Sequence, residues 1–214
     1  MTKICVLGGT GYAGGAIARE AAGRGLEVVV FSRSTPDDLP AGAKSVTGSA
    51  LARGDVARAA SGADVIVVAL APNGDLETSF AEVNAEIADV ARILGARLGV
   101  VGGAGSLLVE PGGSKLYETE QFPDRFKEFA RASDAVLEAL RGSDPDLDWF
   151  VLSPPHGFGH YAPGVPTGQF RIGRDVLLST ADGRSEISGA DFAQAFVDEI
   201  EHPVHRRERF TVAY

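Results

Sequence analysis

The chain has 214 residues, 44% hydrophobic and 23% charged, a composition that suits one packed globular domain and excludes a disordered chain. Its formal charge of −9, with 20 basic residues, leaves no basic stripe to follow a phosphate backbone, which excludes nucleic acid as a partner. Cys5 is the only cysteine, so neither an intramolecular disulfide nor a multi-cysteine metal site can form, and a reducing compartment fits.

The elements run in an alternating order. Met1-Thr2-Lys3 leads into an apolar run that Gly8 interrupts, too short for a signal peptide, and no other stretch nears the roughly 18 apolar residues of a membrane span. The expectation is a cytoplasmic protein without a membrane partner. Lys3–Leu7, Glu27–Phe31, Lys44–Val46, Asp64–Leu70, Arg97–Val101 and Asp148–Leu152 read as strands, several of them continuously apolar. Continuous apolarity marks burial on both faces, as in a parallel sheet covered by helices. Helical patterns fall between them at Tyr12–Gly23, Ser49–Ala60, Phe80–Leu94 and Pro123–Leu140, and Phe122, Phe126 and Phe129 read as core positions. Strand and helix in alternation predict an α/β fold with a doubly wound parallel sheet.

After Leu152 the texture changes. "SPPHGFGHYAPGVPTG", Ser153–Gly168, is too rich in proline and glycine for regular structure and predicts a long loop. Gln169–Ile172 and Val176–Ser179 read as short strands, Ser188 and Asp191 as a capping box opening a helix over Ala190–Glu201, and Arg209–Ala213 as a final strand. The organisation is one domain, with a dinucleotide-binding core over residues 1–152 and a substrate-side portion over 153–214.

Gly8, Gly11 and Gly14 stand between the first strand and the first helix. That turn needs unusual backbone angles, close approach of the main chain to a pyrophosphate and tight helix packing, each easiest without a Cβ. The helix N-terminus adds unpaired N–H groups and a partial positive charge, placing Gly8, Thr10, Gly11, Tyr12, Ala13 and Gly14 at a dinucleotide diphosphate. About twenty residues further on, where an acid would accept from a ribose 2′-hydroxyl, the chain has Ser32 and Arg33. An arginine there pairs with a 2′-phosphate, so NADP(H) is favoured over NAD(H). The alternative for Arg33 is a solvated surface side chain.

The stretches "KICVLGGTGYAGGAIAREAAGRGLEVVVFSR", "ADVIVVAL", "VVGGAGSL", "FVLSPP", "TGQFRIGRDVLL", "ISGADFAQAFVDEIEHP" and "RFTVAY" together resemble the NADH-flavin reductase group, atypical short-chain dehydrogenase/reductase relatives close to the NmrA-like proteins. The resemblance spans nearly the whole chain. It implies an NAD(P)-binding Rossmann-like fold, and reduction of a flavin or quinone as the activity. Relatives often carry Gly-Asp after the third strand, where the acid helps seat the adenine; the corresponding pair here is Gly48-Ser49.

In an open α/β sheet, ligands lie outside the carboxyl ends of the strands. That rule places Ala69, Leu70, Ala71 and Pro72, then Gly102, Gly103 and Ala104 with Gly105, then Ser153, Pro154, Pro155 and His156 around the cofactor. None of the four tyrosines has lysine four residues later, which disfavours alcohol–ketone chemistry through a Tyr-x-x-x-Lys pair. His156 and His160 lie in a segment too broken for a helical metal site, and no carboxylate or thiol nearby completes one. His156 is the candidate proton donor, set against a loop histidine that only packs.

Hydride transfer to a small conjugated acceptor, with flavin as a substrate, asks the protein mainly to orient two rings and exclude water. The competing expectation is a non-catalytic NADP(H) sensor working through a protein partner.

Overall fold

The computed structural model describes residues 1–214. Eight strands form one sheet: β1 (Lys3–Leu7), β2 (Glu27–Ser32), β3 (Lys44–Thr47), β4 (Val65–Val68), β5 (Arg97–Val101), β6 (Trp149–Ser153), β7 (Arg171–Gly173) and β8 (Glu208–Ala213). Their order is β3-β2-β1-β4-β5-β6-β8-β7, and every neighbouring pair is parallel except β7 against β8. The sheet switches direction between β1 and β4, the point at which a doubly wound sheet opens a crevice.

Alternation of side chains explains why β1 is apolar throughout. Cys5 and Leu7 join a core with Phe31, Ile66 and Trp149, under α2 (Arg53–Ala59), α3 (Phe80–Leu94) and α4 (Lys127–Arg141). Ile4 and Val6 point the other way, into a core with Phe150, Phe192, Phe196 and Phe210 under α1 (Tyr12–Gly23) and α5 (Gly189–Glu201). Both faces are dry, as expected of a parallel sheet. Residues 153–214 supply α5, which packs on α1, and β8, which pairs with β6.

Several boundaries differ from the sequence expectation. α2 begins at Arg53, four residues after Ser49, because the Asp55 carboxylate accepts the Ser49 N–H at 3.0 Å and closes a turn there. Residues from Pro123 start as a 3-10 turn over Asp124–Phe126 before α4 takes over at Lys127. Phe126 and Phe129 face outward rather than into the core, with the Arg125 guanidinium lying 4.8 Å from the Phe126 ring centroid. The strand read at Gln169–Ile172 shifts to Arg171–Gly173. Val176–Ser179 is not a strand: it touches Leu108 through a single bridge, Leu177 N–H donating to the Leu108 carbonyl at 2.9 Å. The capping box at α5 is half formed. Ser188 Oγ accepts from the Asp191 N–H at 3.0 Å, but the Asp191 carboxylate is turned toward Thr167, Gly168 and Tyr214.

Candidate dinucleotide site

The first turn after β1 is built so that no side chain fits inside it. Gly8 has φ +81°, and a Cβ on it would stand 2.5 Å from the Ala69 carbonyl oxygen. A Cβ on Gly14 would stand 2.3 Å from the Gly8 carbonyl oxygen. Both distances lie far inside van der Waals contact, so the glycines are imposed by backbone proximity. Gly11 is the N-cap of α1, no side chain caps that helix, and its first turn holds no acid. The opening N–H groups of α1 therefore face the mouth of the turn without side-chain competitors, the geometry that receives a diphosphate.

Beside this turn lies an open cleft of about 250 Å³. Gly8, Thr10, Gly11, Ser32, Arg33, Gly48, Ser49, Ala69, Leu70 and Ala71 all line it, so residues separated along the sequence meet around one space. Arg33 stands at the open edge, 80% exposed, with Nη1 3.3 Å from Asp75 Oδ2. The Ser32 hydroxyl donates to the Ser34 carbonyl at 2.7 Å, which fixes the bend that carries Arg33. Gly48 is pressed between the Phe31 ring and Asp55, where a Cβ would meet each at 2.8 Å. Asp55, held below the usual carboxylate range by the Ser49 N–H and then by Arg58, organises the turn in which Gly48-Ser49 replaces Gly-Asp.

Asp55, Asp75 and Asn73 were not legible as site residues. Asn73 and Asp75 line the cleft from the loop after β4, whereas Asp55, in α2, bonds the Ser49 N–H beside it; no strand-end rule places any of them.

The remaining predicted residues fall into two groups. Gly14 packs behind the turn, and Pro72 is buried after β4 outside the cleft lining. The Tyr12 ring turns toward the 153–168 loop, meeting Phe158 and His160 edge-on with centroids 5.1 and 5.0 Å away, and its hydroxyl donates to the Pro163 carbonyl at 3.1 Å. Ala13 follows it in the first turn of α1. The loop is thereby tied to the glycine turn.

Farther along the sheet edge, Gly102 follows β5 and Ser153 ends β6, and a Cβ on Gly102 would lie 2.7 Å from Ser153 Oγ. That hydroxyl is buried and has no hydrogen-bond partner. Gly103 and Ala104 lead into a 3-10 turn, Ala104–Ser106, that the buried Arg209 holds through the Ser106 carbonyl at 3.1 Å and its Oγ at 2.9 Å. Pro154 and Pro155 are buried; His156 is exposed, and its carbonyl accepts from the Tyr161 hydroxyl at 2.8 Å.

A tyrosine and a lysine do meet near this edge, through space rather than through sequence spacing. Lys115 Nζ and the Tyr117 hydroxyl both bond Asp134 Oδ2, at 2.6 and 3.1 Å. Burial and the bond to Asp134 raise the Tyr117 pKa, so the phenol stays protonated and is no base. No three His, Cys, Asp or Glu side chains converge as a metal site.

A cradle that a Cβ would fill and an orphaned hydroxyl at the sheet edge fit an extended polar ligand lying across the carboxyl ends of the strands. Residues 8–203 match the family model described as NAD(P)H-binding. The chain belongs to the NAD(P)H-binding family. A curated relative, YwnB of Bacillus subtilis, is 34% identical across 98% of this chain and 97% of its own. A solved structure from Burkholderia pseudomallei, named "putative exported protein", is 39% identical with a TM-score of 0.88, covering 100% of both chains. Another, from Streptococcus pneumoniae and named "putative NADH-flavin reductase", is 29% identical with a TM-score of 0.82 over 100% of this chain and 99% of its own. The family's Rossmann-like fold is thus the one seen here, and no helix is long and apolar enough to cross a membrane.

Proposed function

We propose that this family member is an NADP(H)-dependent oxidoreductase that passes hydride to a flavin, a quinone or a similar conjugated small molecule. The observation that carries the reading is Arg33, a guanidinium at the rim of a cleft whose floor is a glycine cradle and whose β2 end carries no acid. Such a group makes charge-assisted hydrogen bonds to a 2′-phosphate. When bound, the dinucleotide supplies the hydride.

The chain's own residues bind and orient. Gly8, Gly11 and the start of α1 hold the diphosphate, and Gly48 and Ser49 flank the adenosine end. A conjugated acceptor stabilises its reduced form by delocalisation, which leaves the protein the tasks of stacking two rings and excluding water. His156, exposed beside the end of β6, is the group assigned to deliver a proton. The name of the Streptococcus pneumoniae relative supports the acceptor class.

A second reading, an NADP(H) sensor acting through a protein partner, draws support from the commitment of Lys115 and Tyr117 to Asp134 instead of to a substrate oxygen. Loss of NADPH absorbance in the presence of FMN, riboflavin or a quinone supports the oxidoreductase. Saturable NADPH binding without turnover on any of them supports the sensor.

A further inference from the structure

The 2′ end of the cleft carries an acid after all, contributed from a different loop. Asp75 lies in a 3-10 turn, Gly74–Leu76, after β4, and lines the same cleft as Arg33. The turn is secured by the Leu76 N–H on the Asn73 carbonyl at 3.2 Å and by the Glu77 N–H on the Gly74 carbonyl at 3.1 Å. Arg33 makes one hydrogen bond in the whole molecule, to this carboxylate, and the carboxylate in turn has no other partner. The two side chains are 80% and 69% exposed, so the pair is weak and readily exchanged.

A carboxylate in this position acts in opposite ways on the two coenzymes. It competes with a 2′-phosphate for the guanidinium and repels the phosphate charge, while it can accept a hydrogen bond from a 2′-hydroxyl. We propose that Asp75 is a coenzyme-selecting residue: its carboxylate contends with the 2′-phosphate for Arg33 and so narrows the preference for NADP(H) over NAD(H). The inference rests on the NADP(H) reading above and adds that the preference is held in check from across the cleft.

Adenosine fragments isolate this end of the site. Dissociation constants for 2′,5′-ADP and 5′-AMP are to be measured by calorimetry on the full chain, on Asp75→Asn, on Arg33→Ala and on the double variant. Both residues are exposed and outside the core, so the fold is retained. The expected result is that Asp75→Asn tightens 2′,5′-ADP roughly three- to fivefold and leaves 5′-AMP unchanged or weaker. Arg33→Ala should remove most of the preference for 2′,5′-ADP, and in its background Asp75→Asn should shift the ratio far less. A ratio in Asp75→Asn within about twofold of the parent, with Arg33→Ala still lowering it, overturns the role of Asp75 and leaves the NADP(H) reading standing. A ratio unchanged in Arg33→Ala overturns both.

Discussion

Tyr214 donates its hydroxyl to Asp191 Oδ2 at 2.5 Å, joining the residue after β8 to the first turn of α5. The same carboxylate accepts the Thr167 N–H at 2.7 Å and the Gly168 N–H at 3.0 Å, so the far end of the 153–168 loop is fastened at this point. Burial works against the charge on Asp191, but the donors from Thr167, Tyr214 and Gly168 prevail and hold its pKa below the ordinary value.

Acid should loosen that fastening. Because Asp191 titrates lower in the folded protein than in the unfolded chain, its contribution is complete above the unfolded value of about 4 and is lost as pH falls through the folded one. Urea unfolding from pH 6 down to pH 3 should show Asp191→Asn with a shallower loss of stability than the parent. Tyr214→Phe should cost about 1–2 kcal/mol at neutral pH. Equal slopes for Asp191→Asn and the parent would count against this role.

Gly14→Ala and Gly15→Ala make a matched pair within α1. The added methyl meets the Gly8 carbonyl oxygen at 2.3 Å in the first and has nothing nearer than 3.4 Å in the second. Gly14→Ala should destabilise the protein by about 1–3 kcal/mol and weaken NADPH binding at least about tenfold, while Gly15→Ala keeps both near the parent level. Thermal melts and nucleotide fluorescence check the two quantities.

Arg97 and Glu199 form a buried ion pair at 2.6 Å, with Glu199 also accepting from His205 and from the Val204 N–H. Glu199→Ala leaves the guanidinium with the Asp148 carboxylate at 3.4 Å and the Glu199 and His205 carbonyls, and a loss of about 1–3 kcal/mol in a denaturant titration is expected. A loss under about 1 kcal/mol would show that solvent reaches the pair.

Cys5 is wholly buried in β1, and burial pushes its thiol up to about 12 despite the opposing charge of Lys3. A chromogenic disulfide reagent should modify it only as fast as the protein unfolds. Modification of the native protein at the rate of a free thiol would contradict the packing of β1.

His156→Ala tests the proton delivery assigned to this side chain. NADPH binding should be unchanged while turnover of acceptors that need a proton falls about 10–100-fold. Unaltered rates with every accepted acceptor would remove the role.

The sequence made β1, β2, β4, β5 and β6 readable because burial on both faces forces uninterrupted apolar runs, and the glycine turn readable because backbone crowding leaves glycine no substitute. Contacts across long separations left no such trace. Asp55 closing the Ser49 turn and Asp75 reaching Arg33 are ordinary surface acids in the one-dimensional pattern, and Tyr117 meets Lys115 only through Asp134 on a distant helix. Val176–Ser179 is apolar enough for a strand, yet it finds only the Leu108 bridge, since β7 already occupies the edge beside β8. Phe126 and Phe129 have helical spacing, but Phe126 ends a 3-10 turn and Phe129 lies on an exposed face of the first turn of α4.

Titration of the protein with NADPH in a calorimeter tests the central claim most directly. The account predicts saturable binding at one site per chain, tighter for NADPH than for NADH, and weakened by Gly14→Ala. Absence of heat and saturation with all four oxidised and reduced nucleotides at high concentration would contradict it.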